Sequence, residues 1–124
     1  MWAQWLTDPE VTSIVAEVDD VVVGICTIRP STDDGADATL VAMMPTLYVH
    51  PHAWHRGYGR ALCAEACRRA SARGFTVLTL WSIEKNSRAH DFYIAFGFVA
   101  ESMTMIVPDW PHEKLTARRY RLPL

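Results

Sequence analysis

The stretch from Leu40 to Trp81 constrains the fold more than any other part of the chain. Leu40–Val49 is an apolar run that ends in Leu47-Tyr48-Val49. Tyr58–Arg73 then takes up a helical period. At about 100° per residue, Leu62, Cys63, Ala66, Cys67 and Ala70 fall on one arc. Arg60, Glu65, Arg68, Arg69, Ser71 and Arg73 cover the rest of the surface. The apolar arc is built mostly of small side chains, so this helix can approach a sheet closely. Gly74 stands where a helix commonly ends in a left-handed residue. Phe75–Trp81 is a nearly continuous apolar run, as expected of a strand covered on both faces. Strand, loop, helix and strand in this order predict a right-handed βαβ unit. Pro45 cannot donate to a ladder, which predicts an edge or a bulge in the first of these strands.

The flanking segments extend the sheet. Thr12–Val18 alternates, Asp19-Asp20 suits a turn, and Val21–Ile28 is β-branched and apolar, which together predict an antiparallel hairpin. Asn86 and Ser87 are both good N-caps for a helix. That helix places Ala89, Phe92, Tyr93 and Phe96 on one stripe and stops at Gly97. Phe98–Val107 and Leu115–Leu122 read as two final strands, with a turn region at Pro108-Asp109-Trp110-Pro111. The order β–β–β–α–β–α–β–β predicts a mixed α/β sandwich forming one domain over residues 1–124.

Composition excludes several classes. Half of the residues are hydrophobic and 21% are charged, which rules out a disordered tail, a collagen and a coiled coil. No run approaches the ~20 apolar residues of a membrane span, and no basic stretch followed by an apolar one opens the chain. Three cysteines, Cys26, Cys63 and Cys67, fit a reduced, cytoplasmic setting. Cys63 and Cys67 share the buried arc and read as packing residues rather than nucleophiles. The net charge of −2 conceals an asymmetry: residues 1–50 hold one base and eight acids, residues 51–124 eleven bases and six acids. A basic second half suits either an anionic ligand or solvated helix faces. It is too weakly basic for a nucleic-acid domain.

The chemistry concentrates between the first strand and the first helix, in His50-Pro51-His52-Ala53-Trp54-His55-Arg56-Gly57-Tyr58-Gly59-Arg60-Ala61. Glycines let the backbone approach a ligand, the first helical N–H groups point at an anion, and Arg56 and Arg60 add positive charge. This is the design of a pyrophosphate site. A dinucleotide fingerprint fails because Leu62 occupies the third glycine position, and no Gly-Lys-Ser/Thr follows as a P-loop would need. His50, His52 and His55 have no acid or cysteine spaced to complete a metal set, so no metal is expected.

Two motifs in order resemble the GNAT superfamily of acyl-CoA-dependent N-acetyltransferases. The first is Val49-x-Pro51 followed by Gly57-x-Gly59-Arg60-Ala61-Leu62. The second runs from Leu80 through Asn86, Ala89 and Phe92-Tyr93 to Gly97-Phe98. The ending Arg119-Tyr120-Arg121-Leu122 is similar to the last strand of many members. The resemblance implies a mixed central sheet with helices on both faces and two splayed parallel strands, the family's fourth and fifth. The N-terminal strand and helices of the family are largely absent here, and those helices normally wall the acceptor pocket. Trp2, Trp5 and Trp110 are candidates to line an exposed acceptor surface, to cover apolar area or to join a dimer interface. Trp54 stands where the family often has Gln or Arg.

The same resemblance implies a cofactor and site residues. Acetyl-CoA would lie between Leu47–Val49 and Phe75–Trp81 as an extra strand. Its contacts would come from Leu47, Tyr48 and Val49, from His55, Arg56, Gly57, Tyr58, Gly59, Arg60 and Ala61, and from Asn86 and Ala89. The Val49 N–H would face the thioester oxygen. Tyr93 matches the family's general acid, and a tyrosine is protonated at neutral pH. By periodicity alone Tyr93 is a core residue. Leu40–Val49 has no acid, so the base is open among Tyr48, His50, Glu84 and water, with water favoured. The implied activity is acetyl transfer to a primary amine of a small molecule, peptide or protein. The alternative is an inactive acyl-CoA-binding module. Partners expected are acetyl-CoA, an amine acceptor and a second copy in a homodimer, with neither nucleic acid nor membrane.

Overall fold

The computed structural model describes residues 8–107 and 115–124, which places Trp2, Trp5 and Trp110 and the expected turn at Pro108–Pro111 outside the described residues. Six strands form one sheet: β1 (Thr12–Val18), β2 (Val21–Pro30), β3 (Val41–Val49), β4 (Val77–Ile83), β5 (Val99–Ile106) and β6 (Thr116–Pro123). Their spatial order is β1-β2-β3-β4-β6-β5, and of the pairs only β3 with β4 is parallel. Helix α1 (Tyr58–Ala72) connects β3 to β4, and helix α2 (Ser87–Phe96) connects β4 to β5. The expected βαβ unit and every expected strand are present, with ends shifted by a residue or two.

Local chemistry sets the boundaries. Asp19 and Asp20 both adopt positive φ, at 51° and 65°, as a tight hairpin turn requires. Asn86 caps α2 by accepting the Ala89 N–H at 3.1 Å. Gly97 then ends α2 at φ 126°.

One core joins the sheet to both helices. Ile14, Cys26 and Ile28 from the hairpin, Ala42 and Met44 from β3, and Leu78 and Leu80 from β4 meet Leu62, Cys63, Ala66 and Ala70 of α1. Phe92, Tyr93 and Phe96 of α2 pack against the same cluster beside Phe98 and Tyr120. The two described helices therefore lie on one face of the sheet. The alternate residues Thr27, Met43, Thr79 and Trp81 turn to the other face. The resemblance implies helices on both faces; the two helices of the described residues share one.

The acidic loop at 31–37 folds onto this second face. The Trp81 indole N–H donates to the Asp33 carboxylate at 3.0 and 3.2 Å, and Arg119 sits 3.6 Å from Asp33. Arg119 also grips Glu101 in a bidentate pair at 3.0 and 3.1 Å. No described helix is long and apolar enough to cross a membrane.

The small side chains of α1 set its distance from the sheet. Ala66 and Ala70 have no exposed surface. An Ala66→Leu substitution should overpack this contact and cost about 1–3 kcal/mol in a chemical-denaturation midpoint. An unchanged midpoint would show that the helix stands further from the sheet than these contacts place it.

Candidate acyl-donor site

The sheet opens between its two parallel strands. β3 pairs with β4 only through Val41↔Val77, Ala42↔Leu78 and Met43↔Thr79. At the inner end of the opening the Thr79 hydroxyl donates to the Ala42 carbonyl at 3.3 Å. Just beyond, the register of β3 on β2 steps from Arg29↔Met43 to Thr27↔Thr46, so β3 carries one extra residue at Met44–Pro45. Here is the bulge that Pro45 predicts. A bulge bends its strand, and from this point β3 and β4 no longer pair. On the β4 side the parted segment is Leu80–Ile83, shorter than the Phe75–Trp81 expected, because Val77–Thr79 still pair with β3.

Hydrogen-bond parity shows which backbone groups the opening exposes. The His50 N–H donates to the Val23 carbonyl at 2.7 Å. In an antiparallel ladder this makes Gly24↔Val49 and Cys26↔Leu47 the pairs that exchange no hydrogen bonds. The N–H and C=O groups of Leu47 and Val49 therefore point away from β2 and toward the opening, where the Trp54 indole N–H donates to the Val49 carbonyl at 2.7 Å. Tyr48, between them, bonds to β2, and its side chain is 51% exposed.

The loop leaving β3 is tightly shaped. Pro51–Ala53 form a single 3-10 turn, capped by His50 Nδ1 accepting the His52 N–H at 3.2 Å. His55 takes φ 64° and Gly57 φ 84°. Gly57 is the N-cap of α1 and offers no side-chain cap, so the first amides of α1, from Tyr58, Gly59 and Arg60, are open to an anion. Glycine serves the two positions differently. At Gly57 the positive φ demands it and a Cβ would meet nothing within 4 Å. At Gly59 a Cβ would stand 3.4 Å from the Phe92 ring, so this glycine also lets α1 and α2 approach one another.

Charge gathers at the same mouth. Much of the basic surplus of the second half is neutralised in ion pairs: Arg68 and Arg69 with Glu65, Arg118 with Glu84, and Arg119 with Asp33 and Glu101. Arg56, Arg60 and Arg88 form no ion pair among the described residues. Arg60 lies over the Phe96 ring at 5.6 Å. Asn86, whose Oδ1 is held by the Ala89 N–H, stands just past the end of β4. The sequence reading omitted Arg88, which lies over the Trp54 indole at 4.2 Å. The departure of Trp54 from the family pattern was the signal for it.

Tyr93 is wedged among aromatic rings, with centroids 5.5 Å from Phe92, 5.6 Å from Phe98 and 5.5 Å from Tyr120. Burial pushes its hydroxyl up to about 12, helped by Cys63, Cys26 and Tyr120. It is a core residue and a firmly protonated hydroxyl at once. Burial likewise pushes the Cys26 thiol up to about 12, which suits a packing residue. Among the candidate bases, Glu84 is engaged by Arg118 at 3.3 Å. On the face opposite the described helices, a cavity of about 200 Å³ lies beside the bulge, lined by Val11, Thr27, Arg29, Thr32, Met43 and Pro45. The Thr27 hydroxyl is buried there without a partner among the described residues. A second cavity of about 290 Å³ lies under the acidic loop, lined by Asp34, Thr79, Arg119 and Arg121 among others.

The site thus joins a parted parallel pair with an open backbone edge to a helix N-terminus that has no side-chain cap. The sequence matches the Acetyltransferase (GNAT) family over residues 1–98, and the chain belongs to that family. Solved structures share its fold. A ribosomal-protein-alanine N-acetyltransferase from Brucella melitensis is 24% identical with a TM-score of 0.85, over 99% of this chain and 76% of the other. A GNAT family acetyltransferase from Elizabethkingia anophelis with acetyl-CoA bound is 14% identical with a TM-score of 0.82, over 99% and 81%. An acetyltransferase of GNAT family from Streptococcus pneumoniae is 18% identical with a TM-score of 0.78, over 98% and 71%. No curated protein matches the sequence significantly.

The raised Tyr93 pKa has a measurable consequence. The folded state holds this proton more tightly than the unfolded chain does, so its contribution to stability is complete below about pH 10. That contribution falls away as pH rises through about 12. In a spectrophotometric titration of wild type against Tyr93→Phe, the missing tyrosine should be one that ionises near pH 12. A difference centred near pH 10 would contradict the buried placement.

Proposed function

We propose that the chain is an N-acetyltransferase that moves an acetyl group from acetyl-CoA to a primary amine of a small molecule, peptide or protein. The observation that carries this reading is the exposed edge of Leu47 and Val49 beyond the Pro45 bulge, ending at the uncapped N-terminus of α1. The edge suits the two amides of a pantetheine arm, by β-augmentation. The open amides of Tyr58, Gly59 and Arg60, with His55, Arg56, Ala61 and the space over Gly57, suit a pyrophosphate. Asn86 and Ala89 flank the arm from the β4 side, and Tyr48 supports the edge from its bond to β2. Acetyl-CoA bound to a relative of the same fold supports this assignment.

The reaction is direct attack. The amine nitrogen bonds to the thioester carbonyl carbon while the carbon–sulfur bond breaks. An N–H of the exposed edge, the one at Val49 in the sequence reading, steadies the oxyanion. Tyr93, protonated at any physiological pH, gives its proton to the leaving thiolate. The attacking amine loses its proton to water, since β3 offers no carboxylate and Glu84 is held by Arg118. That same lack of a base favours the second reading, an acyl-CoA-binding module without turnover.

Thermal-shift titration separates these from a failed motif match. Acetyl-CoA at a hundred times its Kd should add about 2.7 kcal/mol and raise Tm by several degrees, with ATP and NAD giving no shift. No shift with acetyl-CoA would refute the donor assignment. In an amine screen read by thiol release, Tyr93→Phe should lower kcat by about a hundredfold or more while acetyl-CoA affinity stays put. Equal turnover by the variant would remove Tyr93 from the mechanism. Binding without turnover on any amine would favour the module.

A further inference from the structure

Trp54 makes two contacts that no other loop residue makes. Its indole N–H donates to the Val49 carbonyl at 2.7 Å. Its ring carries the Arg88 guanidinium at 4.2 Å. Val49 ends β3, and Arg88 lies in the first turn of α2, just past β4. The two contacts thus link the two arms of the opened sheet, and they do so beside the uncapped end of α1.

Their chemistry is unequal. The hydrogen bond ties the loop to one particular carbonyl of the exposed edge, which fixes how the loop leaves the strand. The stack holds Arg88 by its face. A guanidinium on an aromatic face keeps its charge and leaves its in-plane N–H donors unused. A guanidinium in a carboxylate pair would have spent both. Arg88 forms no ion pair among the described residues, and through Trp54 it stands beside the N-terminus of α1, which has no side-chain cap. A guanidinium with open donors beside an uncapped helix N-terminus suits an anionic ligand.

We propose that Arg88 is a phosphate-binding residue for the acyl-CoA donor and that Trp54 is the residue that positions it. This deepens the acyl-donor reading and rests on it. The ligand group is a phosphate, either the pyrophosphate or the ribose 3′-phosphate of CoA. Pantetheine contacts at Leu47 and Val49 do not involve Arg88, so its contribution is confined to the phosphate end.

The test is calorimetric titration of wild type, Arg88→Ala and Trp54→Phe with CoA, 3′-dephospho-CoA and pantetheine. Loss of a charged hydrogen bond should weaken CoA binding by Arg88→Ala about tenfold. Pantetheine binding should not change. A penalty on CoA alone assigns the contact to the 3′-phosphate. An equal penalty on CoA and dephospho-CoA assigns it to the pyrophosphate. Trp54→Phe keeps the ring but not the N–H, so it should weaken the phosphate-bearing ligands by a smaller factor and again spare pantetheine. A penalty shared by all three ligands, or none on CoA, overturns the proposal. A wild-type chain that binds CoA no better than pantetheine also overturns it. A wild-type chain that binds none of the three overturns the acyl-donor reading itself.

Discussion

The structure depends on an interruption: parallel pairing between β3 and β4 stops at Met43↔Thr79. A sheet gains from every ladder bond it makes, and unpaired backbone groups are costly unless something else satisfies them. Here a proline and one extra residue force β3 away from its neighbour. The groups set free are the N–H and C=O of Leu47 and the N–H of Val49, on one side, while the Trp54 indole N–H donates to the Val49 carbonyl. They form a template for one more strand, open on the side facing β4.

Everything around the opening follows from holding it in shape. The small residues of α1 bring that helix down onto β1, β2 and β3, so that its uncapped end sits at the mouth. Gly59 lets Phe92 close in, which seats α2 beside α1. The aromatic cluster of Phe92, Tyr93, Phe98 and Tyr120 then fixes α2 over β6 and β5. On the other face Asp33, held by Trp81 and Arg119, pins a loop that would otherwise be only a charged insertion. Electrostatics divide along the same line. Arg68, Arg69, Arg118 and Arg119 are held in ion pairs, while Arg60 and Arg88 lie over aromatic rings and Arg56 forms no ion pair among the described residues.

Most of the fold was legible because its elements have strong local signatures. The period of α1, the caps of Asn86 and Gly97 and the Asp19-Asp20 turn each act within a few residues. Pro45 announced the bulge because a missing N–H is a local fact. The extent of the opening was not legible, since ladder pairing between Val77–Thr79 and Val41–Met43 depends on distant residues meeting. Nor was the burial of both helices on one face, which the family plan obscured. At the site, the glycine loop and its cations could be read directly. The Trp54–Arg88 contact could not, because those residues are far apart in sequence and neither fits a helical or strand period. Asp33 lies in an acidic stretch between two apolar runs, and only the fold reveals its anchor in Trp81.

The central claim is that the Leu47 and Val49 amides face an empty strand position and that acetyl-CoA fills it. Residue-resolved amide hydrogen exchange, with and without acetyl-CoA, tests this most directly. Without ligand, Leu47 and Val49 should exchange quickly while Tyr48, bonded to β2, exchanges slowly. With acetyl-CoA, protection should rise at Leu47 and Val49 and stay level at Tyr48. Protection of Leu47 and Val49 in the free chain, or no change in them at saturating acetyl-CoA, would contradict the account.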